Sequence, residues 1–337
     1  MRKYSVAMCI LFLATLLGCR NDRKYTEVKQ LSEFEKTQFI PTLEHTLSAD
    51  KNAVYCATLL FAWDEIRKKI QSPLIIPDEH ADLKLLNQST SFEKILKSNE
   101  YTVKAQVAEY LISVKAEFNK SLPFEVKLQQ FNNRLTFDGQ KVASFGVKGY
   151  DSSEELRMVE ILYYQDDYNF ILKLVPKDQE HEILLYKTEQ RFSSIAEMTG
   201  EIEKRIEIGK AEKKSAKTSG HYQYNDEDMV AIPMFNFNIE TNYSSLEGNR
   251  FSKDLENFQI ERAWQRTAFI LDESGAEVES EAEFFAVAVE EIEDEYEKPQ
   301  PKLMIFDKPF LILLKRTDSK NPYLALWITN TELMIKE

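Results

Sequence analysis

The chain has 337 residues and a formal net charge of −13, with 56 acidic side chains against 43 Lys and Arg; a body this acidic argues against nucleic acid as its partner. Only 9 Gly and 10 Pro, with 43% hydrophobic residues, exclude a fibrous or low-complexity chain and fit one globular body with a large core. Three cysteines do not make a disulfide framework, which a chain of this size does not need.

At the start, Met1 to Tyr4 is basic and Ser5 to Gly18 is a short apolar run, the pattern of a secretion signal and too short for a comfortable membrane span. It ends in Leu16-Leu17-Gly18-Cys19, which resembles the bacterial lipoprotein box, where a small residue precedes the cysteine that is cut free and acylated. That resemblance implies a signal peptide over residues 1–18, lipidation at Cys19, a tether over 19–33 and one domain over 34–337, held by lipid in the bacterial cell envelope and facing the periplasm or the cell surface. Losing Arg2 and Lys3 with the signal makes the mature chain more acidic still. Arg20 to Lys29 is a basic stretch beside the lipid and reads either as a headgroup contact or as a solvated leash. Cys9 leaves with the signal, and the unpartnered Cys56 reads as a small buried apolar residue rather than a nucleophile.

From Phe34 to about Leu111 the apolar spacing is mainly helical, clearest over Asn52 to Ile70, while Val103 to Val114 fits either a helix or a buried strand. After Phe118, strand-like runs dominate: Leu135 to Phe137, Val142 to Phe145, Leu156 to Tyr164, Asn169 to Val175, Val230 to Ile239, Ala268 to Leu271, Leu303 to Phe306, Phe310 to Lys315 and Tyr323 to Thr329. A helix is predicted over Ser193 to Ile208, with a polar loop from Gly209 to Asp228. Helices first and strands after read as α+β, with N-terminal helices packed on large mixed or antiparallel sheets.

Little chemistry is visible. His45, His80, His181 and His221 lack metal-type spacing and read as surface or loop residues, and neither a glycine-rich phosphate loop nor a G-x-S-x-G elbow occurs. No catalytic residue, metal site or cofactor is expected, and the chain does not read as an enzyme. Lys210, Lys213, Lys214 and Lys217 form a small basic group in the predicted loop, and charge alone names no ligand for it.

With the strands laid out, several segments together resemble the serpin family. AFILDESGAEVESEA, Ala268 to Ala282, is similar to the family's strand and hinge, with an acidic residue at Glu273, a glycine at Gly275 and small residues leading into the reactive-centre loop. KPFLILLKRTDSKNPYLALWITN resembles its terminal strand pair, Ile232 to Glu240 its proline-led strand, and Val159 to Pro176 its two-strand segment. Pro123-Phe124 and Phe137-Asp138-Gly139 complete an ordered series over about two thirds of the chain. Departures fall where that family's central sheet parts. Cys56 stands where a serine is usual, Ala57 where a proline is and Gln265 where a histidine is, and the segment from Gln71 to Val114 is short for the family.

The resemblance implies a loop over 276–300 that a protease cleaves as bait, after which the hinge inserts as a new middle strand. Along an extended chain, Ala276, Val278, Ser280 and Ala282 share the face that would enter the core, while Glu277, Glu279, Glu281 and Glu283 share the face expected to stay solvated. Ten or so new ladder bonds, each contributing roughly 0.5 to 1.5 kcal/mol, would sum to the order of 10 kcal/mol before ordering entropy is subtracted. The family's spacing puts the scissile bond at Val289-Glu290, which implies an elastase- or subtilisin-like serine protease, or a cysteine protease, as partner. A monomeric suicide inhibitor is one reading; a non-inhibitory binding protein of the same fold is the other.

Overall fold

Short apolar runs of about five to seven residues, too short for stable helices, build most of the molecule. In the computed structural model the described residues are 24–71, 73–108, 111–149, 153–253, 256–278 and 300–336. The chain begins with β1 (Lys29–Gln30), β2 (Thr37–Ile40) and β3 (Asn52–Cys56), then α1 (Thr58–Ile70) and α2 (Ala81–Gln88). A hairpin of β4 (Tyr101–Ala108) and β5 (Leu111–Phe118) leads straight into β6 (Lys120–Pro123), followed by β7 (Gln129–Phe137), β8 (Gln140–Lys148) and a helical turn, α3 (Ser153–Leu156). Next come β9 (Val159–Asp166), β10 (Asn169–Leu174), β11 (His181–Lys187) and α4 (Ile195–Glu212). The last third holds β12 (Met229–Pro233), β13 (Phe235–Asn242), β14 (Arg250–Lys253), β15 (Glu256–Gln259), β16 (Trp264–Asp272), β17 (Gly275–Val278), β18 (Leu303–Ile305), β19 (Phe310–Arg316) and β20 (Leu324–Ile328).

These strands form a seven-stranded sheet in the order β2-β3-β20-β19-β11-β10-β9, a five-stranded sheet β1-β13-β16-β17-β6, a four-stranded sheet β18-β12-β8-β7, and the hairpins β14-β15 and β4-β5. The fold is α+β, with several mixed sheets and few helices. Phe310 to Leu314 and Leu324 to Leu326 are fully buried at the centre of the seven-stranded sheet, which is why they read as unbroken apolar runs. Phe235, Phe237 and Phe269 carry the inner face of the five-stranded sheet into the same core.

Several expectations change. The region from Phe34 to Leu111 is not mainly helical: α1 and α2 are its α-helices among the described residues, and three strands share it with irregular chain. Asn52 to Ile70 divides, because Asn52–Cys56 is buried on both faces between β2 and β20; a continuous apolar run does not distinguish a buried strand from a helix. Val103 to Val114 resolves as the β4-β5 hairpin. The helix expected at Ser193 starts at Ile195, with the Ser194 side chain capping it, and runs to Glu212, so the first residues of the predicted loop are helical.

Residues Lys24 to Gln30, read as part of the tether, lie along β13. Lys29 and Gln30 pair in parallel with Ile239 and Glu240. Upstream, the Thr26 amide donates to Asn236 Oδ1 (3.1 Å), while the Asn236 and Asn238 side-chain amides donate to the carbonyls of Lys24 (3.2 Å) and Thr26 (2.9 Å). Alternation along β13 turns both asparagines outward, opposite the three core residues Phe235, Phe237 and Ile239.

Candidate functional site

The hinge residues sit inside the five-stranded sheet. β16 ends at Asp272, the chain turns through Glu273 and Ser274, and β17 returns antiparallel with Ala276 opposite Leu271 and Glu277 opposite Ile270. Its other edge pairs with β6, setting Gly275 against Pro123, Ala276 against Leu122, Glu277 against Ser121 and Val278 against Lys120. β17 is therefore an interior strand over the residues described.

The turn is fixed at several points. Asp272 Oδ1 accepts from the Ser274 amide at 2.8 Å, a local bond that Asp makes readily in turns. The Ser274 and Glu273 carbonyls accept from the amides of Phe124 and Leu128, and Lys127 lies 3.7 Å from the Glu273 carboxylate. Gly275 has φ of +131°, and a Cβ there would meet Leu122 O at 2.4 Å, so only glycine fits beside β6.

Ala276 and Val278 enter the core, as their small size requires. The expectation for the opposite face is corrected at Glu277, which is 3% exposed instead of solvated. Ile270 and Ala268, on the same outward side of the neighbouring strand, are also buried, so that side is covered at this level of the sheet. Cys19, Ser280, Ala282, Val289 and Glu290, with Glu279, Glu281 and Glu283, lie outside the described residues.

Below the hinge, Gln265 ties β16 to the start of α1. Its Nε2 donates to Cys56 O (2.9 Å) and to Thr58 Oγ1 (2.5 Å), and its Oε1 accepts from the Tyr243 hydroxyl (2.5 Å). Cys56 is buried and free, and burial pushes its thiol pKa up, so it behaves as the inert apolar residue expected.

Beside the last described pair of β17, a charged cluster joins four segments. Glu100 Oε1 accepts from Lys120 Nζ (2.7 Å) and lies 2.8 Å from His181 Nε2, and Glu100 Oε2 is 3.2 Å from Arg316 Nη1. Lys97, Asp178, Glu180 and Asp318 complete the ion pairs around it, and the Tyr323 ring packs on the imidazole. Burial works to raise the Glu100 pKa, but hydrogen bonds from Lys120, the Lys97 amide and His181 outweigh it and hold the carboxyl down at about 2. Burial pushes the His181 pKa below its usual range, against the Glu100 contact that would raise it. His181 is thus a buried core residue and not the surface residue predicted. Its partners come from segments far apart in sequence, which no local pattern reports.

The described segment that begins at Gln300 is clamped as well. Lys302 and Asp228 form a buried ion pair at 2.6 Å, and Asp228 Oδ1 accepts from the Lys302 amide at 2.7 Å. Lys187 Nζ donates to the carbonyls of Ile305 (2.7 Å) and Asp167 (2.9 Å) and to Asp307 (2.8 Å). β18 then pairs in parallel with β12.

Elsewhere, a cleft of about 320 Å³ between α1 and β4 is lined by Phe61, Phe92 and Tyr101 with Asp64, Glu65 and Lys68. Lys213 pairs with Glu160 and Lys210 with Glu207, so half of the basic group is neutralised. Among the described residues no group of His, Cys, Asp and Glu has the geometry of a metal site, and no helix is long and apolar enough to cross a membrane.

No protein-family model and no curated protein sequence matches this chain. Among solved structures it is similar to a serpin from the trematode Schistosoma haematobium, with a TM-score of 0.44 and 9% identity over 84% of this chain and 94% of that one. It is also similar to a serine protease inhibitor (serpin) of Manduca sexta, with a TM-score of 0.34 and 12% identity over 62% of this chain and 53% of that one. Thyroxine-binding globulin in complex with thyroxine gives a TM-score of 0.35 and 12% identity over 65% of this chain and 56% of the other. The chain thus spans little more than half the length of the last two.

Proposed function

We propose that the chain is a serpin-like protease inhibitor held in a bacterial cell envelope by lipid on Cys19, acting as a suicide substrate of a serine or cysteine protease. The observation that carries this reading is the interior position of β17, hydrogen-bonded on one edge to β16 and on the other to β6. On this reading, a strand placed this way serves as the starting point of the insertion. Cleavage beyond Val278, at Val289-Glu290 on the family's spacing, would free the hinge-side limb to lengthen β17 while the Lys302–Asp228 pair keeps the other limb in its own sheet. Extension adds two rows of ladder bonds, and a protease still acylated by that limb would be carried along with it. The test is incubation of the exported chain with elastase-like and subtilisin-like proteases, followed by denaturing gels. A covalent adduct is expected; cleavage without adduct across a broad panel of enzymes removes the reading.

A second reading, a non-inhibitory binding protein of the same fold at the cell surface, draws on two observations. Gln265 ties β16 to α1 below the hinge, which opposes parting of the strands there. Glu277 is buried, so the acidic face is not a freely solvated one. Melting before and after loop cleavage separates the two: insertion raises the melting temperature, and an inert loop leaves it unchanged.

A further inference from the structure

Two large apolar side chains stand exposed together where the segment beginning at Gln300 enters its sheet. Lys302 is held by Asp228, and the next residue, Leu303, is 42% exposed at the start of β18. Tyr168, 54% exposed, occupies the tip of the β9-β10 turn with Asp167. Asp167 Oδ1 accepts from the Leu303 amide at 2.9 Å. The Lys187 ammonium, which bonds both Asp167 O and Ile305 O, lies 5.3 Å from the centre of the Tyr168 ring. The ring therefore stands beside β18.

Tyr168 is fixed before any partner arrives. Its amide donates to Asp166 Oδ1 (2.8 Å), which closes the turn, and the buried Lys187 side chain lies against the ring. An aromatic side chain held this way loses little freedom on binding, and tyrosine is among the residues that carry most of the energy of protein interfaces. The half-buried Met229 pairs with Leu303 and extends the apolar ground. Exposed charges of both signs, Asp166 and Lys148, border it, so what the surface offers is apolar contact more than electrostatic steering.

Connectivity names the occupant. Ten peptide bonds join Glu290 to Gln300, a length that spans at most about 36 Å when fully extended. A protease of about 220 residues is about 40 Å across. An enzyme gripping the Val289-Glu290 bond is thus tethered within its own breadth of Gln300, and Leu303 and Tyr168 are the exposed apolar side chains beside that attachment.

We infer that Tyr168 and Leu303 form a second contact site for the protease that cuts the bait loop, separate from the sequence it cuts. This rests on the inhibitor reading above. Choice of target is then set by the body of the fold as well as by the loop.

The test uses the full chain with pancreatic elastase and with subtilisin, reading the second-order rate of loop cleavage and the yield of adduct. For an enzyme that cuts the parent chain, Tyr168→Ala and Leu303→Ser should each lower that rate by about tenfold, the loss of one interface anchor, with the fraction going on to adduct unchanged. Tyr168→Phe, which keeps the ring against Lys187, and Ile75→Ser, at a 63% exposed site beside β14, should cut at the parent rate. If Tyr168→Ala melts early, Leu303→Ser decides. Parent rates in both variants overturn the second site and leave the inhibitor reading standing. Cleavage without adduct in every protein removes inhibition, while the comparison of rates still decides the site. A loop that neither enzyme cuts overturns both.

Discussion

Val278 and Lys120 face each other across the last described pair of β17 and β6, and the Lys120 ammonium ends on the Glu100 carboxylate. Further growth of β17 would thus proceed from a point fixed by the buried cluster of Glu100, His181 and Arg316. That cluster connects β6 to β11 and β19 of the seven-stranded sheet, so the stability of the hinge position is set partly by groups that titrate.

The pH dependence follows from the directions of the two shifts. His181 has a folded-state pKa below its ordinary 6.5, so protonation favours the unfolded chain, and stability falls as pH drops below about 6.5. Glu100, held at about 2 against 4.5, contributes on the order of 2 to 3 kcal/mol above pH 4.5 that is lost between there and pH 2. Urea denaturation over this range should show both losses. His181→Gln should flatten the upper one, and a variant that keeps the full slope between pH 6.5 and 5 would assign that loss to another group.

Gly275→Ala should destabilise the chain by about 2 to 4 kcal/mol, combining a backbone conformation costly for L-residues with a Cβ forced against Leu122 O. Hydrogen exchange at the amides of β17 should rise more than the global change predicts. Equal protection in the two proteins would mean that the turn does not need glycine.

Much of this was legible in the sequence and some was not, for identifiable reasons. Phe310 to Lys315 and Tyr323 to Thr329 were readable as strands because fully buried strands are unbroken apolar runs, and the structure gives Phe310–Arg316 and Leu324–Ile328. The same feature misled at Asn52 to Cys56, where an apolar strand abuts an amphipathic helix and the two merge into one pattern. Alternation showed which residues of β17 face inward, yet not that the opposite side is covered at Glu277. The alternation of Asn236 and Asn238 with phenylalanine was visible; that the two amides would hold the chain's own strap was not, since the partner lies more than two hundred residues away.

Breaking the Lys302–Asp228 pair should loosen the returning limb. Asp228→Ala leaves a lysine buried at 6% exposure with no counter-charge, a change that costs about 3 to 5 kcal/mol. The amides of Met229 and Phe306, which bond to Lys302 O and Ala231 O across β12 and β18, should exchange faster. Asp228→Leu combined with Lys302→Met removes both charges and should recover most of the loss. If the double variant is no better than the single one, the Asp228 bonds to the backbone of Asn225 and Lys302 carry the stability instead.

Gln265→Leu tests whether the tie below the hinge restrains β16. The substitution removes bonds to Cys56 O, Thr58 Oγ1 and Tyr243 OH and leaves the buried Tyr243 hydroxyl without its partner. A cost of about 2 to 4 kcal/mol is expected in chemical denaturation, because stranded buried polar groups lose their full solvation. Thr58→Ala alone should cost about 1 kcal/mol, since it removes one acceptor and leaves Gln265 bonded to Cys56 O. The two changes share a network, so the double variant should be less destabilised than the sum of the singles. Strict additivity would mean that Gln265 and Thr58 act independently. If the tie holds the sheet closed against insertion, Gln265→Leu should also show a larger rise in melting temperature on loop cleavage than the parent chain; an equal or smaller rise would show that the restraint lies elsewhere.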